Sequence, residues 1–205
     1  MRRPGLRSRQ RRASIRDRSL WPVIGVVLAG GASTRMGQDK AEVAVAGHPM
    51  IWWVVAALEA VTERVVVAGR ARGWDGHPGL ADPAGLVGPL AGLAAGLSLG
   101  QPVLLVAVDQ PWVRSATLSK LAAVRETAVP VHAESRQVTC AVYHRELADL
   151  VEQAGSLQGL LDLGQPLEIT EPVWRSWGED GRSWFSVDRP EGIAIGLDRF
   201  GAPGE

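Results

Sequence analysis

Three short runs constrain the fold of this chain more than any other feature: VIGVVL at residues 23–28, RVVVA at 64–68 and VLLVAV at 103–108. They are continuous apolar stretches rich in β-branched residues, with no polar residue on every second position, so both sides of each strand must be buried. Strands of that kind belong to a parallel sheet with helices packed above and below it. The intervening segments alternate helix-like patterns with these runs, which is the sequence form of repeated βαβ units. The expected fold class is therefore α/β, a single-domain three-layer sandwich with a mostly parallel sheet and helices on both faces. At 205 residues and 46% hydrophobic composition, one such domain can bury an adequate core without metal or disulfide staples. The single cysteine, Cys140, excludes an intramolecular disulfide framework and a cysteine-built zinc site.

The remaining elements follow from local signals. Pro49 opens a helix to about Val61, and a second helix of small residues runs from Pro89 to about Leu99, after a loop at 81–88. Ser115 is positioned to cap a helix extending to about Glu126. Residues 129–133 and 138–143 alternate like paired strands, 146–153 reads as helical, and 167–173 reads as an edge strand. A last short strand is expected at 184–187, before Pro190 opens a terminal helix.

Charge divides the chain into a tail and a body. Residues 1–20 hold eight of the 22 basic residues and one of the 22 acidic ones, so the rest carries a net charge of −7. A body that acidic is a poor match for nucleic acid, whose phosphates need a basic face. The expected organisation is a disordered basic tail at 1–20 and one domain at 21–200, with an upstream translation start as one explanation of the tail. Arg11-Arg12 followed by the apolar run at 23–29 also has the outline of a twin-arginine export signal. Cleavage there would remove the first strand and with it the loop that follows, which argues against that reading. No apolar stretch reaches the roughly 18 residues needed to span a bilayer, so no membrane partner is expected.

The residues with chemistry gather at the ends of the predicted strands. The first strand runs into Leu28-Ala29-Gly30-Gly31, and Ser33, Arg35, Gly37 and Lys40 follow within ten residues. Paired glycines after a strand let backbone N–H groups approach a phosphate or a base, and the cations beyond would meet its negative charge. The spacing is neither a Walker A loop nor a dinucleotide fingerprint. Asp109 lies at the carboxyl end of the third apolar run, just before Pro111, where ligands of open α/β sheets bind. A carboxylate beside a polyphosphate fits if it holds Mg²⁺, which takes one or two carboxylates together with phosphate oxygens; otherwise it is a turn cap. Asp82 precedes glycines at 85, 88, 92 and 96, which either let backbone approach a nucleotide, with Gly88 nearest the helix start, or let a helix pack closely on the sheet. Asp188, in Ser186-Val187-Asp188-Arg189-Pro190, is a candidate second metal ligand or substrate contact, or a helix cap. His48, His77, His132 and His144 lack metal spacing, and Cys140 reads as a buried strand residue. Trp52 and Trp53 are expected to cover the sheet, and Trp174, Trp177 and Trp184 to pack in the core or line a pocket for a flat ligand.

Taken together, Leu28-Ala29-Gly30-Gly31-x-Ser33-x-Arg35-Met36-Gly37-x-Asp39-Lys40, then Asp82, Gly88-Pro89-Leu90-Ala91-Gly92-Leu93 and Asp109-x-Pro111, resemble the molybdenum cofactor guanylyltransferases over about residues 23–197. The resemblance implies the Rossmann-like form of the three-layer sandwich. It further implies Mg²⁺-dependent transfer of GMP from GTP to molybdopterin, with release of pyrophosphate, in the cytoplasm, and transient contacts with other cofactor-biosynthesis proteins. Carried over, Leu28, Ala29 and Gly30 would bind the guanine nucleotide with Gly31 shaping the loop. Lys40 would contact the phosphates with Arg35 assisting, Asp82 and Gly88 would contact the nucleotide, and Asp109 would bind GTP and Mg²⁺. Three stretches depart from the family pattern: Ser186 and Asp188 replace the usual Asn-x-Asn, Ala68 stands where Asn is common, and Gln137-Val138-Thr139 keeps only the threonine of His-Pro-Thr. Cytidylyl relatives tend to carry alanine at the position of Gly30, so Gly30 is expected to favour guanine. The competing expectations are a cytidylyltransferase or another transferase with a different phosphorylated acceptor, and a non-catalytic nucleotide-binding homologue.

Overall fold

A computed structural model describes residues 22–30 and 39–204 of the chain. Strand β1 (Ile24–Leu28) is followed by a 3-10 turn at Lys40–Glu42, a small hairpin of β2 (Ala44–Val45) and β3 (His48–Pro49), and helix α1 (Met50–Glu59). Next come β4 (Arg64–Ala68), β5 (Gly79–Leu80), α2 (Gly88–Leu97), β6 (Val103–Ala107) and α3 (Ser115–Ala122). The second half contains β7 (Ala128–His132), β8 (Ser135–Arg136), β9 (Cys140–Tyr143), a 3-10 segment at Arg145–Gln153 and α4 (Leu157–Gly164). It closes with β10 (Leu167–Ile169), α5 (Glu171–Ser176), a 3-10 turn at Arg182–Trp184 and α6 (Glu191–Phe200).

The main sheet has the order β10-β7-β9-β6-β1-β4-β5, with β8 paired to β7. Its β6-β1-β4-β5 half is parallel throughout, and β9 enters antiparallel to both β6 and β7. Every residue of β1 is buried, as a strand covered on both faces requires. One face is covered by α1 and α3, with Ile51, Val54, Val55, Leu58, Leu118 and Leu121 against the sheet. The other is covered by α2, the 145–153 segment and α4, through Leu90, Leu93, Leu97, Leu147, Leu160 and Leu161. Each such side chain contributes on the order of 1.5–3 kcal/mol of transfer free energy. The three-layer α/β sandwich with a mostly parallel sheet is thus borne out.

Several local expectations are corrected. Ser115 is not a cap: Arg114 occupies the cap position of α3, and no side chain caps the helix. The groups near that end are met by tertiary partners instead, Arg114 N–H donating to Ser183 Oγ at 3.1 Å and Thr117 Oγ1 to Glu179 at 2.5 Å. The helix stops at Ala122, short of Glu126. The 167–173 strand ends at Ile169, because Pro172 sits in the first turn of α5, where its fixed φ favours helix. No strand forms at 184–187; residues 182–184 make a 3-10 turn, held from behind by Glu179. The 146–153 segment is 3-10 and not α. Helix α4 was not anticipated, although Ser156 accepts from Gly159 N–H at 3.0 Å as an N-cap and Leu157, Leu160 and Leu161 form its buried face. Trp52 and Trp53 are only half-buried and do not cover the sheet: Trp52 stacks on His48 at 4.0 Å, and Trp53 donates to the Val45 carbonyl at 2.8 Å. Trp174 and Trp184 belong to the core.

Candidate active site

The sequence runs from β1 to β4 and β5 on one side, then returns to place β6 on the other side of β1. This reversal makes the carboxyl ends of β1 and β6 a topological switch point, the place where open α/β sheets receive ligands. Leu28 lies opposite Ala107 on β6 and Ala68 on β4, and Ala68 lies opposite Leu80 on β5. Asp109, the Leu28–Gly30 segment, Gly69 and Asp82 therefore leave the sheet along one edge in that order. The two innermost loops are tied back into it: Val108 N–H donates to Leu28 O at 3.0 Å and Ala29 N–H to Ala68 O at 3.0 Å. Ala29 is half-buried, while Gly30, Asp82 and Gly88 are exposed along this edge.

Gly30 has a packing reason to be glycine. A Cβ there would lie 2.8 Å from Gly69 Cα, and one on Gly69 would lie 2.3 Å from Gly30 Cα. The two loops touch backbone to backbone, so the missing methyl cannot be credited to guanine selection alone. Gly92 and Gly96 likewise face the sheet, where a Cβ would lie 2.4 Å from Leu28 Cδ2 and 2.9 Å from Val26 Cγ2. Close helix packing accounts for those two. Gly85 (φ +83°) and Gly88 (φ +68°) are different: both adopt the left-handed region and no heavy atom lies within 4 Å of an added Cβ. Helix α2 starts at Gly88 without a side-chain cap, so its N-terminal amides point out at the same edge.

Lys40 enters from the 3-10 turn that Asp39 caps by accepting from Ala41 N–H at 3.1 Å. Its ammonium donates to Asp109 Oδ2 at 2.7 Å and to Asp188 Oδ1 at 3.1 Å. Lys40 and Asp109 are half-buried and Asp188 is exposed. Asp188 is delivered by a main-chain tether, Val187 N–H donating to the Asp109 carbonyl at 2.8 Å. Beneath it, Val43, Val45, Met50, Trp112, Val187 and Phe200 form a small separate core joining the three segments that carry Lys40, Asp109 and Asp188.

The structure thus brings together Leu28, Ala29, Gly30, Lys40, Asp109 and Asp188, with Asp82 and Gly88 further along the edge. Gly31, Ser33, Arg35 and Gly37 lie outside the described residues, as does the 1–20 segment. One neighbour escaped sequence reasoning. Arg70, after the glycine that ends β4, pairs with Asp39 and, at 2.9 Å, with Glu42, and so clamps the Lys40 turn onto the β4 loop. A basic residue directly beyond a parallel strand was the available signal. Among the described residues, no group of three or more His, Cys, Asp or Glu side chains has metal-binding geometry. Burial pushes the thiol of Cys140 and the phenol of Tyr143 far up, which fits structural roles for both.

A cavity of about 470 Å³ lies elsewhere, between α1 and the start of α3, lined by Trp52, Trp53, Trp112, Arg114 and Arg182 among others. No carboxylate lines it and none of the strand-end residues borders it, so the convergence of charge at Asp109 is the better candidate for chemistry. Among the described residues, no helix is long and apolar enough to cross a membrane.

A family model described as MobA-like NTP transferase domain matches residues 25–170, which spans β1 through the end of β10. A probable molybdenum cofactor guanylyltransferase of Pyrococcus furiosus is 33% identical over 166 residues, covering 74% of this chain and 83% of that protein. One of Deinococcus radiodurans is 32% identical over 188 residues, covering 84% and 93%. Among solved structures, molybdopterin-guanine dinucleotide biosynthesis protein A of Archaeoglobus fulgidus superposes with a TM-score of 0.71 at 24% identity, over 85% of this chain and 97% of that one.

Proposed function

Because the chain belongs to the MobA-like NTP transferase family, we propose that it transfers GMP from GTP to molybdopterin and releases pyrophosphate, making the guanine dinucleotide form of the molybdenum cofactor. It is a nucleotidyltransferase of molybdenum cofactor biosynthesis, as its family and relatives indicate; donor, acceptor, metal and a cytoplasmic site of action are the proposed refinement. The observation that carries the reading is the contact of Lys40 with Asp109 at 2.7 Å, beside the carboxyl ends of β1 and β6.

In this reading a phosphate oxygen of the acceptor attacks the α-phosphorus of GTP in line. A P–O bond forms, the bond to the β-phosphate breaks, and its electron pair leaves on pyrophosphate. An ionised phosphate is already nucleophilic, so no side chain has to remove a proton, and catalysis reduces to positioning and charge neutralisation. The Leu28–Gly30 segment and the start of α2 hold the nucleotide, Lys40 meets charge developing on the leaving group, and Asp188 stands on the acceptor side. Two carboxylates converging on a cation are a donor set suited to Mg²⁺. Held by Asp109, that ion would supply neutralisation of the triphosphate. Preference for GTP over CTP rests on the resemblance and on the relatives, since the Gly69 contact explains Gly30 without reference to the base.

The test is pyrophosphate release with each nucleoside triphosphate, with and without molybdopterin and Mg²⁺. Release that needs GTP, molybdopterin and Mg²⁺ together is expected. Release with CTP in place of GTP would move the chain to the cytidylyl class, and nucleotide binding with no release would make it a non-catalytic homologue. Lys40→Ala should lower turnover more than it weakens nucleotide binding, because its charge is needed most as the leaving group departs.

A further inference from the structure

Among the described residues, Lys40 is the cation facing both Asp109 and Asp188, 69 and 148 positions away in the chain. We propose that Asp109 and Asp188 form a two-carboxylate seat for a divalent cation, and that the Lys40 ammonium is a placeholder in that seat, displaced when the metal enters. This deepens the transferase reading above and rests on it for the identity of the nucleotide.

The seat does not depend on Lys40 for its assembly. The Val187 N–H to Asp109 carbonyl bond at 2.8 Å fixes the two segments main chain to main chain, and the buried Val187 and Trp112 side chains back them from below. Asp109 is the firm member, its side chain 21% exposed, and Asp188, 67% exposed, is the one able to adjust to a smaller ion. The base of Lys40 is equally firm, because its turn is capped by Asp39 and clamped by Arg70. The swing is confined to a four-carbon stem carrying a point charge, which is what an exchange of partners requires. An ammonium and a divalent cation cannot share the space between two carboxylates, since each repels the other at contact distance. Once displaced, the lysine charge is free at the β1 and β6 edge, where the triphosphate carries its negative charge. Placeholder and phosphate ligand are then two positions of one side chain.

Two measurements on the full chain test this, with Mn²⁺ alone as the probe and no nucleotide. The first is affinity, read from the electron paramagnetic resonance signal of free Mn²⁺. Lys40→Met should bind at least roughly tenfold more tightly than the unaltered protein, from loss of a competing charge a few ångströms away, and adding Asp188→Asn should abolish the gain. No gain in Lys40→Met, or a gain that survives Asp188→Asn, overturns the proposal. The second needs no variant. Lys40 and Lys120 are the two lysines of the chain, so amine labelling followed by mass spectrometry reads each separately. Saturating Mn²⁺ should speed labelling of Lys40 several-fold while leaving Lys120 unchanged, and equal rates at Lys40 with and without metal overturn the exchange. If Mn²⁺ frees Lys40 yet no triphosphate yields pyrophosphate, the transferase reading falls and the seat stands; the reverse pair of results removes the seat alone.

Discussion

Leu28 and Asp188 both lie by the carboxyl-end edge of the sheet but are placed there by different physics. Leu28 ends a strand whose five residues are all buried and which is paired in register on both sides, so its position follows from hydrophobic burial and two ladders of hydrogen bonds. Asp188 arrives on an arm, residues 177–190, that joins no strand of the sheet. A few polar tethers and one small apolar island hold that arm. Glu179, 3% exposed, is the chief tether: its carboxylate accepts from the hydroxyls of Thr117 and Ser183 and from the amides of Asp180, Gly181 and Ser183. Next to it, burial alone would raise the Asp180 carboxyl, but hydrogen bonds from Arg182 outweigh that and hold it below its ordinary value. The frame is over-determined by many weak contacts, whereas the arm depends on a few strong ones. A segment held by a few tethers can differ in sequence between them without disturbing the sheet frame.

That contrast can be broken in stages. The largest effect is expected at the point where the two regions meet. Asp109→Ala should lower pyrophosphate release at least roughly a hundredfold, about 3 kcal/mol of transition-state stabilisation. Its melting temperature should stay near that of the unaltered protein, because the side chain reaches solvent and lies outside the apolar core. Near-normal turnover at saturating Mg²⁺ would remove Asp109 from the site. In the arm, Glu179→Leu leaves two hydroxyls and three amides without their acceptor, and urea unfolding should show a loss on the order of 3 kcal/mol; a loss below about 0.5 kcal/mol would mean the arm is held by something else. In the frame, Gly30→Ala forces Cβ against the Gly69 backbone. A cost of about 1–3 kcal/mol is expected, together with weaker nucleotide binding, since one of the two loops must move. Far from both regions, Arg136 pairs with Asp162 and Glu168 on the surface, and Arg136→Ala should cost less than about 1 kcal/mol in the same urea titration.

The same division decides what could be read from the sequence. The strands at 24–28, 64–68 and 103–107 were legible because burial on both faces leaves one possible pattern, and their carboxyl ends marked the site edge directly. Asp109 and Lys40 followed from that edge. The strand expected at 184–187 does not form because the chain there wraps around the buried Glu179 carboxylate, which gathers four donors from residues 180–183 and one from Thr117, an arrangement that leaves no periodicity in the sequence. Ser115 was misassigned for the same reason: the cap it offered was superseded by Ser183 and Glu179, which are distant in sequence. The role of Arg70 appears only once the Lys40 turn lies across the end of β4. The sequence around Gly30 displays one property, access for a ligand, while its contact with Gly69 exists only where two loops lie side by side.

The central claim is that a nucleotide and its metal are gripped between the ends of β1 and β6 with Asp109 as the metal's anchor. A crystal grown with a non-hydrolysable GTP analogue and Mn²⁺, examined at the manganese absorption edge, tests it most directly. An anomalous peak is expected against the Asp109 carboxylate, with the triphosphate lying between the two strand ends. A nucleotide and metal seated elsewhere, for example in the tryptophan-lined cavity between α1 and α3, with Lys40 still on Asp109, would contradict it.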